Sequence, residues 1–158
     1  HWMSSFIGIP ISLKGRNQLR LSERYQETES SYMHEEWLKF AEMDLNSAEY
    51  LRNMTPTPVE VICYHCEQAS EKLLKAVLVA SDIEPPKTHD LIILCKKCSE
   101  IDKSFDSIAD ACIELSPYGV QTRYPSNLEL SNTDMQCALS MCHLIDRFVR
   151  EKLKKKRP

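Results

Sequence analysis

His65, Gln68, Lys72 and Lys75 recur at intervals of three or four residues in the stretch HCEQASEKLLKAVL, His65 to Leu78. Successive residues of an α-helix turn by about 100°, so the four share one stripe. An imidazole, an amide and two ammonium groups in register form a donor set suited to an anion. Ile62, Cys66, Ala69, Leu73, Val77 and Ala80 fall on an apolar face roughly a quarter turn away. The polar stripe therefore runs beside buried surface, as one wall of a partly covered anion site or as a solvated flank at a packing edge. Two downstream segments carry matching chemistry. His89 lies in KTHDL, Lys87 to Leu91, and Arg123 and Tyr124 open RYP, Arg123 to Pro125. Arginine forks onto a phosphate or carboxylate, and tyrosine stacks on a base. The candidate ligand-binding set is thus His65, Gln68, Lys72, Lys75, His89, Arg123 and Tyr124, with no catalytic residue assigned. In the competing account Glu67, Glu71 and Asp90 neutralise these bases internally. His89 would then orient Asp90, and Arg123 would pair with Glu71 to pin its loop.

The cysteines invite a second reading. CxxC occurs at Cys63/Cys66 and again at Cys95/Cys98, a spacing that ordinarily suggests zinc. Both pairs sit among good helix formers, without the Gly or Pro that shapes a zinc knuckle. Both lie on the apolar arc, where free cysteine behaves as a small hydrophobe. We therefore expect core packing, no metal and no cofactor. An odd set of seven cysteines argues for a reducing compartment, and a cytoplasmic location is expected. Several chemistries lack their motifs. There is no GxxxxGK[ST] and no GxGxxG, no G-x-S-x-G and no HExxH. The net charge is −3, so any nucleic-acid contact would use a local basic patch. The longest apolar runs are too short to span a membrane.

The elements that must position these residues are helical. With 158 residues, 42% hydrophobic and 27% charged, the chain fits one soluble domain. Residues 1–31 read as an arm and linker. His1 and Trp2 look like vector-derived residues ahead of Met3, Phe6 to Leu13 looks extended around Pro10, and Ser22 to Ser31 looks like a polar linker. A helix is expected from about Tyr32 to Asn53, with Trp37, Ala41, Leu45, Ala48 and Leu51 facing the core. A second is expected from Thr57, as N-cap with Glu60 completing a capping box, to about Ser81. A third begins near Thr88 and a fourth covers about Ser104 to Leu115. Ser116 to Asn127 reads as the one substantial loop. A last helix starts at Ser131 or Asn132, with Asp134 near its positive end, and frays into the basic tail 154–158. None of the three glycines falls inside an expected helix. The fold class is all-α, an antiparallel bundle of four or five helices.

The ordered set WLKFAEMDLNSAEYL (Trp37 to Leu51), QASEKLLKA (Gln68 to Ala76), KTHDL and RYP resembles the HEPN family of small helical domains over about Tyr32 to Leu153. The resemblance places a HEPN-like domain at 32–153. It implies a nucleotide- or polynucleotide-binding module, or the helical partner of a separate minimal nucleotidyltransferase, often in toxin–antitoxin pairs. It also implies a homodimer. Many members are metal-independent ribonucleases, marked by an Arg followed four to six residues later by His in the last helix, two copies meeting across a dimer. Here Arg147 and Arg150 have no histidine after them, and His143 precedes Arg147. A noncatalytic module is the first expectation. A ribonuclease toxin with a rearranged Arg/His pair and a helical interaction dimer are the alternatives.

Overall fold

Polarity in a stretch free of proline speaks for exposure and not for irregular structure. The computed structural model describes residues 11–121 and 129–156, and its first element shows the point. Helix α1 runs unbroken through Ile11–Leu51, 41 residues or about 60 Å. Ser22 to Ser31, expected as a linker, is helical. The hydroxyls of Ser22 and Thr28 donate to Leu19 and Arg24 carbonyls one turn back, each at 2.8 Å. Ile11 to Leu13, expected in an extended arm, and Gly15 also lie in this helix. Residues 1–10 are outside the described residues. Ser30 donates to the Val79 carbonyl at 2.7 Å and fixes α1 against the end of the next helix.

Helix α2, Val59–Ala80, is the centre of the bundle and packs on α1, α3 and α6. It begins at Pro58 without a side-chain cap. The expected Thr57 cap is absent, because the Thr57 hydroxyl donates to Met54 O at 3.1 Å. Helix α3, Leu91–Ile101, starts three residues later than expected. Thr88 accepts from Asp90 N, and Asp90 in turn caps the helix by accepting from Ile92 N at 2.8 Å. The expected fourth helix divides into a 3-10 turn, Lys103–Ile108, and α4, Ala109–Leu115. Within the expected loop lies a short helix α5, Tyr118–Gln121, which contains Gly119.

Helix α6, Asn132–Lys155, carries a full capping box between Ser131 and Asp134. Its basic end is held, since Lys156 donates to Ser81 Oγ at 2.7 Å. Leu73, Leu74, Leu78, Leu94, Leu115 and Ile145 are wholly buried, each such side chain contributing about 1.5–3 kcal/mol. The described residues are all-helical in six α-helices, the two shortest being α4 and α5, and no strand occurs among them. No helix among them is long and apolar enough to cross a membrane.

Candidate functional site

The polar stripe of α2 meets one carboxylate from α1 and two from α2 itself. On the α1 side, His65 Nδ1–H donates to Asp44 Oδ1 at 2.9 Å, and Lys72 donates to Asp44 Oδ2. One acid thereby bridges two stripe members two turns apart. On the α3 side, Lys75 donates to Glu71 Oε1 at 2.6 Å. His89 Nδ1–H donates to the same carboxylate, 3.0 Å from Oε2. Gln68 donates to Glu67 Oε2 at 2.8 Å. The structure thus brings His65, Gln68, Lys72, Lys75 and His89 onto one side of α2. Arg123 and Tyr124 lie outside the described residues.

Exposure divides this set. The Lys75 and Glu71 side chains are only 10% and 6% exposed, a buried ion pair. Lys72 and His65 are about a quarter exposed, and the His89 side chain is 61% exposed. In both histidines the carboxylate bond places a proton on Nδ1. Nε2 is left without a protein partner among the described residues, an acceptor when the ring is neutral and a donor when it is charged. Aromatic rings alternate with the bases. The Lys72 ammonium is 6.0 Å from the Phe40 ring centre and the Lys75 ammonium 5.6 Å from that of Trp37. The Tyr64 and His65 rings meet edge to face at 5.9 Å.

Sequence reasoning missed Asp44. Its signal was present, since residues 37, 41, 44 and 48 recur at core spacing on α1, and an acid on that arc must meet a partner. Asp90, expected against His89, instead caps α3 and accepts from Ser116 Oγ at 3.2 Å. Gly119 brings α5 against this region, because a Cβ there would sit 2.7 Å from Cδ of the fully buried Glu67.

The cysteines of both CxxC pairs are core residues. Cys63, Cys66, Cys95 and Cys98 are all buried. Burial pushes Cys63 and Cys98 up to about 12. Cys66 and Cys112 are raised further, by hydrogen bonds with Cys142 and Cys95 and by burial, whereas the bond with Cys112 lowers Cys95. Among the described residues no group of three His, Cys, Asp or Glu could hold a metal ion.

On α6, His143, Arg147, Arg150 and Lys154 line a shallow depression of about 390 Å³. His143 Nε2–H donates to Glu49 of α1 at 2.7 Å, and this bond is the main reason the Glu49 carboxyl titrates below its ordinary range. Arg150 donates to Asp146 at 2.7 Å. Histidine and arginine here are held by separate acids and not by one another.

A family model described as HEPN domain matches residues 34–152. Two solved structures share the fold. The crystal structure of TT1696 from Thermus thermophilus is 23% identical, with 75% of this chain and 97% of that one covered at a TM-score of 0.67. That of ST0689, an archaeal HEPN homologue, is 22% identical, with 76% and 97% covered at a TM-score of 0.60. No curated protein matches the chain.

Proposed function

The chain belongs to the HEPN family, and from that premise we propose that it is a noncatalytic module that binds a nucleotide or short RNA and partners a separate minimal nucleotidyltransferase, in the manner of a toxin–antitoxin pair. The observation that carries the binding reading is the alternation of bases and aromatic rings along the α1–α2 seam, with Lys72 beside the half-exposed Phe40. Lysine and imidazole meet phosphate, and an exposed ring offers a base its face. Arg123 and Tyr124 would add a fork and a second ring. Asp44 competes for the same cations. A phosphate taking up Lys72 and His65 displaces Asp44, whose side chain is 13% exposed, so binding must offset the cost of stripping that carboxylate of both partners.

Titration with ATP and with a short single-stranded RNA at low salt tests the reading. Lys72→Ala should weaken binding by about 1.5–3 kcal/mol, the worth of a hydrogen bond to a charged group. Asp44→Asn, which frees both bases, should tighten it. Absence of binding to either probe, or equal binding by the Lys72 variant, would end the proposal.

The noncatalytic part rests on α6. Its arginines have no histidine after them, and His143 and Arg150 are each engaged by an acid. Purified protein in EDTA should leave RNA intact. Specific cleavage that persists in EDTA and is abolished by His143→Ala would establish the ribonuclease alternative instead.

A further inference from the structure

Cys95 on α3 and Cys112 on α4 are hydrogen-bonded to each other across the two helices. Both are buried, at 4% and 0% exposure. As a thiol, Cys95 donates to the Phe105 carbonyl at 3.5 Å. As a thiolate it accepts from the Cys112 thiol, and this bond holds Cys95 below its ordinary range in spite of burial. Cys112 is pushed up by the same bond and by burial, so it stays a thiol. Cys98, the other half of the CxxC, is turned away, since its thiol donates to the Leu74 carbonyl of α2 at 3.6 Å.

A cavity reaches this pair at Cys95. It measures about 150 Å³ and lies between α3, the 3-10 turn and α4, with Cys95 in its wall and Cys112 behind. A water-sized molecule takes about 30 Å³, so a small oxidant fits. Ile92 and Ile113 line the cavity and are 46% and 50% exposed, with Lys96 and Asp106 beside them. The Asp106 carboxylate opposes a thiolate at Cys95, but Ser99 and Lys103 engage it, and the Lys96 ammonium favours that thiolate. Cys66 and Cys142 form a comparable hydrogen-bonded pair between α2 and α6, at 0% exposure for both. That pair has the same chemistry without the access.

We propose that Cys95 and Cys112 form a reversible disulfide, with Cys95 as the attacking thiol and a small neutral peroxide, admitted by the cavity, as the oxidant. The Cys95 sulfur attacks one peroxide oxygen. An S–O bond forms, the O–O bond breaks, and the departing oxygen leaves as water with the proton that Cys95 gives up. Cys112 then attacks the sulfenic sulfur. The S–S bond forms, the S–O bond breaks, and its oxygen leaves as a second water with the Cys112 proton. Two thiols thus give two electrons to one peroxide. The bridge ties α3 to α4 around the 3-10 turn, and the Phe105 carbonyl loses its thiol donor. The site is separate from the α2 stripe and stands independently of nucleotide binding.

Oxidation of the folded full chain by hydrogen peroxide tests it, followed by unfolding in an alkylating agent, trypsin without reductant, and mass spectrometry. Cys95 and Cys112 fall in separate tryptic peptides, 88–96 and 104–123, each with a single cysteine. The expected product is these two peptides joined, and separated again by dithiothreitol, with Cys66 and Cys142 recovered alkylated. Cys112→Ser should stop the reaction at a Cys95 sulfenic acid that a cyclic diketone traps. Cys95→Ser should leave Cys112 unoxidised. No joined peptide from the wild type, Cys95 joined to Cys98 instead, an equal yield of a Cys66–Cys142 bridge, or oxidation of Cys112 in the Cys95→Ser variant would overturn the inference.

Discussion

Lys75→Met is expected to destabilise the fold by about 3 kcal/mol, because truncating one member of a buried ion pair strands the other. Lys75 and Glu71 lie 2.6 Å apart with side chains 10% and 6% exposed. The methionine fills the methylene volume but leaves the carboxylate with His89 alone. His89 stands at the surface and holds Glu71 from one side only. Urea unfolding measures the loss as a change in midpoint at constant slope. The double change Glu71→Gln with Lys75→Met removes both charges and should cost distinctly less than the sum of the single changes. A loss under about 1 kcal/mol for Lys75→Met alone would show that the ammonium is dispensable to the fold. Lys75 would then return to the ligand set on equal terms with Lys72. The contrast with Lys72→Ala is informative, since Lys72 is about a quarter exposed and its loss should act on binding more than on stability.

The largest loss is expected at Phe105→Ala, about 3–5 kcal/mol. Phe105 is among the largest fully buried side chains and sits in the 3-10 turn between α3 and α4. Its ring meets Phe148 of α6 edge to face, with centres 5.0 Å apart and planes at 87°, a pairing worth about 0.5–1.5 kcal/mol beyond burial. Removing it opens a cavity where α3, α4 and α6 converge, and a six-residue turn has little of its own to close over it. Cys95 donates to the Phe105 carbonyl at 3.5 Å, so thiol accessibility there should rise together with the stability loss. Phe105→Leu, which keeps most of the volume, should lose much less. Equal losses for the two variants would mean that the site collapses freely and that ring geometry contributes nothing. The α1–α2 seam is remote from this turn, so RNA or nucleotide affinity should survive in the fraction that remains folded.

Much of this molecule was legible residue by residue. The apolar recurrence of Trp37, Ala41, Leu45 and Ala48 marked the buried side of α1, and Ala41 and Ala48 are indeed only 1% and 0% exposed. Ser131 and Asp134 marked the start of α6, to which the structure adds a reciprocal cap between them. The cysteine pairs read as core because their positions on the helical arc outweighed their metal-like spacing. These features were readable because period, cap and turn chemistry are local, each fixed within a few residues by backbone geometry. The errors have local causes too. A polar run without proline or glycine forms an exposed helix where a linker is expected, and the Thr57 hydroxyl donates to Met54 O instead of capping α2.

The pairing of the polar stripe is different in kind. The sequence determined that His65, Gln68, Lys72 and Lys75 share one side of α2. Only the tertiary structure decided that Asp44, 21 and 28 positions away in the chain, would answer two of them, and that Glu71, one turn before Lys75 on the same helix, would also take His89. Which acid a base meets depends on the rotation and crossing of whole helices, set by the packing of ridges into grooves between them. A periodicity fixes where a side chain stands on its own helix and carries no information about the azimuth of its neighbour.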